Sequence, residues 1–174
     1  AWVQQNGIEA PMYWRRRDGA WHLLTLDGLR EIDPAETICH LSFYEAHAFA
    51  EWSNARLPAE AEWESVAARQ PCLGNFAGSG RFHPTAPAQA DGKHPVSMFG
   101  DVWEWTSSAY GPYPGFQPVA GAIGEYNGKF MANQMVLRGG SCATPPGHLR
   151  PSYRNFFYPS DRWQFSGLRL AKDL

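Results

Sequence analysis

A chain of 174 residues with a net charge of -2 and 18% charged side chains is long enough for one domain with its own core. Its near-neutral balance excludes binding of a phosphate backbone, because the densest basic run, Arg15-Arg16-Arg17, is followed at once by Asp18 and reads as a solvated turn. No apolar run approaches the ~20 residues of a membrane span.

The opening Ala1-Trp2-Val3-Gln4-Gln5 lacks the basic-then-apolar order of a secretion signal and does not look like a natural N-terminus. Cys39, Cys72 and Cys142 are an odd, sparse set, which argues against a disulfide framework and for a reducing cytoplasm. Eight Trp, 17 Gly and 14 Pro describe instead a loop-rich domain anchored by aromatic side chains.

In chain order, Asp18-Gly19 between the aromatic and β-branched flanks of residues 14–26 predicts a hairpin. Ser42 with Glu45 three residues on forms a capping box, and Ala46, Phe49, Ala50 and Ser53 continue at helical spacing, which predicts a helix over residues 44–53. Pro58 suits the start of a second helix over 59–68, where Glu60, Glu62 and Glu64 favour the early turns through the helix dipole.

Beyond Arg69 the chain turns Gly- and Pro-rich, with a surface loop expected at 84–92 and short strands at 102–106, 135–138 and 167–171. Trp103 and Trp105 are read as projecting to opposite faces, Gly139-Gly140 as a backbone path closed to residues with a Cβ, and Arg138 as a buried arginine bound to a carboxylate or to carbonyls. Two short helices followed by short strands give an α+β class in a single domain over residues 1–174.

Four ordered segments carry a resemblance. They are Arg56-Leu-Pro-Ala-Glu-Ala-Glu-Trp-Glu64, Phe99-Gly-Asp-Val-Trp-Glu-Trp-Thr106, Val136-Leu-Arg-Gly-Gly-Ser-Cys142 and Phe165-Ser-Gly-Leu-Arg-Leu-Ala171. Together they resemble the formylglycine-generating-enzyme (sulfatase-modifying-factor) family, which implies a C-type-lectin-like α+β fold with little regular structure. The tail from Cys142 to Phe157 and Arg162-Trp163-Gln164-Phe165, with residues 113–116 and 124–130, is similar to the ergothioneine sulfoxide synthases within that family.

That resemblance implies Fe(II) and O2 as the reagents that join a cysteine sulfur to the imidazole of hercynine, a trimethylated histidine. It implies that three histidines of an N-terminal helical-bundle domain hold the iron, two of them four residues apart. His22, His40, His47, His83, His94 and His148 include no such pair, so the iron-binding domain is expected to lie outside this chain. Carried over, Asn155 would bind the substrate carboxylate, and Phe156 and Phe157 would shape the pocket. Phe157 stands where the γ-glutamylcysteine-using branch has an acid, which favours free cysteine as the sulfur donor.

Arg150, Arg154 and Arg162 are candidate carboxylate clamps, at least one of them more simply a structural ion pair. Tyr126 is the candidate catalytic tyrosine, with Tyr110 and Tyr113 as alternatives. Asp101 and Glu104 lie where relatives hold calcium, and Glu104 reads equally well as a buried salt-bridge partner. Two other readings stand beside this one. A formylglycine-generating copper oxidase needs two converging thiolates, and only Cys142 follows Ser141. A non-catalytic binding module would use the same fold to display a ligand surface.

Overall fold

The computed structural model describes residues 2–87, 89, 95–122, 124 and 128–173. The first half begins with a short helix, α1 (Trp2–Gln5), and an antiparallel meander of β1 (Trp14–Arg17), β2 (Ala20–Thr25) and β3 (Gly28–Glu31). Asp18 and Gly19 both take positive φ, +49° and +85°, which is the twist a two-residue hairpin turn needs. The expected hairpin is therefore present, and β3 extends it by a strand that the sequence reading did not include.

Two helices follow where they were expected, α2 (Phe43–Trp52) and α3 (Glu60–Ala67). The capping box of α2 forms in full: Glu45 N–H donates to Ser42 Oγ at 3.2 Å, and Ser42 N–H donates to Glu45 Oε2 at 2.8 Å. α3 begins one residue later than Pro58 suggested, with Ala59 as its cap. Glu62 Oε2 accepts the Ala59 N–H at 2.7 Å and satisfies a donor that the alanine side chain cannot serve.

The second half contributes a four-stranded sheet in the order β6-β5-β4-β7, from β4 (Trp103–Ala109), β5 (Met135–Arg138), β6 (Asn155–Phe157) and β7 (Ser166–Leu168). β4 pairs antiparallel with β5 and parallel with β7, and β5 pairs antiparallel with β6. β4 runs three residues past its expected end, and β6 was not foreseen as a strand. The last expected strand closes at Leu168, although Ala171 still bridges to Arg56. Pro84, placed in a surface loop by its composition, is fully buried, and part of that loop lies outside the described residues.

The sheet separates two cores. Residues two apart in a strand share a face, so Trp103 and Trp105 point the same way rather than apart. Both join Ala46, Ala50, Leu57 and Leu137 beneath α2. Glu104 and Arg138, paired across β4 and β5, look the other way, toward α3, where Trp63 and Ala67 pack with Met98 and Phe99. The glycine pair admits no side chain: a Cβ on Gly139 would stand 2.8 Å from the Met98 carbonyl oxygen, and one on Gly140 2.0 Å from Leu149.

Candidate functional site

β6 is an edge strand, and its three residues are half-buried. Pairing with Met135, Val136 and Leu137 fixes their register. Asn155 and Phe157 therefore project on the α2 side and Phe156 on the α3 side. Phe157 packs on the apolar core and meets Trp163 edge-on at 5.1 Å between ring centroids. Phe156 lies flat on Tyr110, 4.0 Å away and 8° from parallel. The two rings thus stand on opposite sides of one strand. Asn155 Oδ1 accepts the Phe156 N–H at 2.9 Å, which orients the amide and leaves Nδ2 as its donor.

The three arginines have different fates. Arg154 is a structural ion pair: its guanidinium donates to both Glu60 oxygens at 2.6 and 2.9 Å and to the Gly111 carbonyl at 2.9 Å. It lies 4.7 and 4.3 Å from the ring centroids of Tyr110 and Tyr113. Arg162 pairs with Glu45 at 3.2 Å. Arg150 is exposed, bonded to Ser152 Oγ at 3.2 Å and 5.7 Å above the Tyr153 ring.

Beneath β6 lies a network that the sequence hinted at only through Arg138. That guanidinium is 0% exposed and donates to Glu60 at 2.7 Å, to Glu64, and to the carbonyls of Pro151 and Tyr153. Tyr113 Oη accepts from it at 3.2 Å, and burial pushes the Tyr113 phenol above its ordinary value. The alternative tyrosines Tyr110 and Tyr113 thus serve as anchors of this network, and Tyr126 lies outside the described residues.

Asp101 Oδ1 and both Glu104 oxygens accept from protein donors. Asp101 Oδ1 accepts from Asn75 Nδ2, Thr85 N and Thr85 Oγ1 at 2.8–3.0 Å. Glu104 accepts from Trp63 Nε1 at 2.7 Å and forms a salt bridge with Arg169 at 2.8 Å. Burial raises the Glu104 carboxyl pKa against the pull of Arg169 and Trp63. That is the salt-bridge reading of Glu104, and no group of three or more His, Cys, Asp or Glu that could hold a metal occurs among the described residues. An iron with histidine ligands therefore does not fit the described part of this chain. Cys142 is fully buried, and burial with the nearby Cys39 and Asp101 pushes its thiol up to about 12, which opposes a copper-binding thiolate.

A second cluster escaped the sequence reading. Tyr13, His40, His83, Trp163 and Phe165 come from four separate segments and line a cavity of about 270 Å³ under β2. No spacing in the sequence joins them, and Trp163, the neighbour of Phe157, is one of the walls.

The chain matches the family described as "Sulfatase-modifying factor enzyme 1-like domain" over residues 1–95 and 94–174. It is 38% identical to the hercynine oxygenase of Mycolicibacterium smegmatis, over 98% of this chain and 45% of that protein. It is 28% identical to ergothioneine biosynthesis protein 1 of Schizosaccharomyces pombe, over 94% of this chain and 22% of that one. The chain thus spans less than half the length of these relatives. Among solved structures, PvdO from Pseudomonas aeruginosa superposes with a TM-score of 0.60 at 18% identity, over 99% of this chain and 75% of that one, a likeness of fold.

Proposed function

The chain belongs to the family of the sulfatase-modifying factor enzyme 1-like domain, and from that premise we propose that it is the substrate-binding half of a sulfoxide synthase of ergothioneine biosynthesis. The observation that carries this reading is the 38% identity to a hercynine oxygenase across 98% of the chain. In the complete protein the remaining part supplies the histidines that hold Fe(II). When bound, that iron supplies activation of O2 for joining a cysteine sulfur to the imidazole of hercynine.

This chain's residues bind and orient. Asn155 Nδ2 donates to the hercynine carboxylate, with the amide held in one orientation by the Phe156 N–H. The trimethylammonium group cannot donate a hydrogen bond, so ring faces recognise it, each contact contributing roughly 0.5–2 kcal/mol. Phe157 and Trp163 stand on the Asn155 side of the strand and offer such faces. Phe156, stacked on Tyr110, shapes the other side of the strand edge. Exposed Arg150 is the first candidate for the carboxylate of the sulfur donor, Arg162 would have to exchange its Glu45 partner to serve there, and Tyr126 is the candidate catalytic tyrosine.

The phenyl ring of Phe157 selects free cysteine over γ-glutamylcysteine. A dipeptide-sized thiol would leave polar atoms against that ring, at a cost of about 1–3 kcal/mol, or roughly ten- to a hundred-fold in binding. The test is turnover by the full-length protein with Fe(II), O2 and hercynine and either thiol. A sulfoxide product with higher kcat/KM for cysteine is expected, and Phe157→Asp narrows the gap. No sulfoxide from either thiol would overturn the function; preference for γ-glutamylcysteine would overturn the donor assignment alone.

A further inference from the structure

Along residues 154–157 successive side chains alternate between two sides of the sheet. Asn155 and Phe157 project on the α2 side, whereas Arg154 and Phe156 reach the α3 side, where Glu60 and Tyr110 meet them. β6 is a three-residue edge strand paired with β5. An edge this short needs side-chain support to hold a ligand-binding amide in one direction.

That support converges on one buried carboxylate. Glu60, at the start of α3, accepts from Arg154 at 2.6 and 2.9 Å and from Arg138 at 2.7 Å. Arg138 also donates to the carbonyls of Pro151 and Tyr153, so the backbone leading into β6 is held as well. The Arg154 guanidinium reaches the Gly111 carbonyl at 2.9 Å and completes a three-point anchor.

A second path runs from the same guanidinium to the Asn155 amide. Arg154 lies 4.7 Å from the centroid of the Tyr110 ring, and the Tyr110 N–H donates to the Gln134 carbonyl at 2.8 Å. Phe156 lies flat on that ring at 4.0 Å. The Phe156 N–H in turn donates to Asn155 Oδ1 at 2.9 Å. Arg154 is therefore joined to the amide both through the chain and through Tyr110 and Phe156. A planar guanidinium can fork onto a carboxylate and lie against a ring at once, which an ammonium cannot.

We propose that Arg154 is a positioning residue for recognition of the hercynine carboxylate. Held by Glu60, Gly111 and Tyr110, it fixes the Phe156 N–H and so the direction in which Asn155 Nδ2 points, without touching the substrate. The assignment rests on the reading of Asn155 as the carboxylate donor. A donor turned out of line loses most of its hydrogen bond, because the interaction weakens steeply with angle.

The test is calorimetric titration of the full-length protein with hercynine and with a hercynine analogue that lacks the carboxylate. Arg154→Met should weaken hercynine roughly ten-fold, the loss of one hydrogen bond to a charged group, and leave the analogue within about two-fold. In an Asn155→Ala background the same substitution should have no further effect on hercynine, because the two residues act as one unit. Arg154→Lys keeps a charge beside Glu60 and serves if the methionine variant does not fold; it should weaken hercynine about three-fold with the same indifference of the analogue. Equal weakening of both ligands, losses that add in the double variant, or hercynine affinity unchanged by either Arg154 substitution would overturn this role while the functional reading stands. No binding of hercynine by the unsubstituted protein would overturn that reading and this role with it.

Discussion

Glu104 and Trp105 are neighbours in β4, and they look into two different interiors. Trp105 enters a core of Trp103, Leu137, Ala46, Ala50 and Leu57 in which its own Nε1–H is satisfied by the Leu41 carbonyl at 2.8 Å. Glu104 enters a layer that includes Trp63, Arg169, Arg138, Glu60 and Glu64, held by charge-assisted hydrogen bonds. The apolar face gains from burial without regard to direction. The ionic face is directional: each guanidinium needs its carboxylates in place, and removing one partner leaves the other buried and unpaired. β6 sits at the edge of this sheet, so Phe157 rests on the first face while Arg154 and Phe156 are tied into the second.

The comparison breaks most sharply at Arg138 and Trp105. Trp105→Ala should destabilise by about 3–5 kcal/mol through a cavity, and Arg138→Ala by about 3–5 kcal/mol through stranded carboxylates, both read by urea unfolding. Only the second should be rescued in part by Glu60→Gln; equal rescue of both, or of neither, would show that the two faces do not differ in kind.

A finer cut uses Glu60→Gln and Arg154→Met singly and together. Residues that share one network couple, and an interaction energy of about 0.5–3 kcal/mol is expected, whereas either change combined with Leu57→Ala should be additive within about 0.5 kcal/mol. Hydrogen exchange at the amides of β6 should rise in Arg154→Met, because the anchor lies one residue before the strand.

Acid should act through the buried histidines rather than through Glu104. Glu104 has a raised carboxyl pKa, so its ionisation weakens the fold as pH rises, and acidification does not harm it. His40 and His83 have lowered pKa values; below pH 6.5 the unfolded chain takes up protons that the folded chain resists, and stability falls as pH falls. The melting temperature should therefore drop between pH 7 and pH 5, with a shallower slope in His40→Phe. The smallest effect belongs to the end of α2: Ser42→Ala should cost about 1 kcal/mol, measured by thermal unfolding.

Local signals were legible in the sequence where a short stretch carries its own physics. Ser42 and Glu45 announced α2 because a capping box is complete within four residues, and Asp18-Gly19 announced the hairpin because few other pairs accept two positive φ values. The motif order carried the family, and with it Asn155 and its neighbours as the proposed site. β6 was missed because a three-residue strand has no periodicity to read, and its pairing partner Met135–Arg138 lies about 20 residues away.

The sequence by itself determined the α+β class, both principal helices and the family, since these depend on residues close in the chain or on ordered motifs. Only the tertiary structure decided which side chains remain available to a ligand. Arg154 looked like a carboxylate clamp until Glu60, 94 residues earlier, was seen to occupy it. Phe156 and Phe157 looked like one pocket until the β5 pairing turned them to opposite sides. No signal joined His40, Tyr13 and Phe165 to one another, because a cavity is a property of distant segments meeting, and the burial that sets its chemistry exists only after they meet.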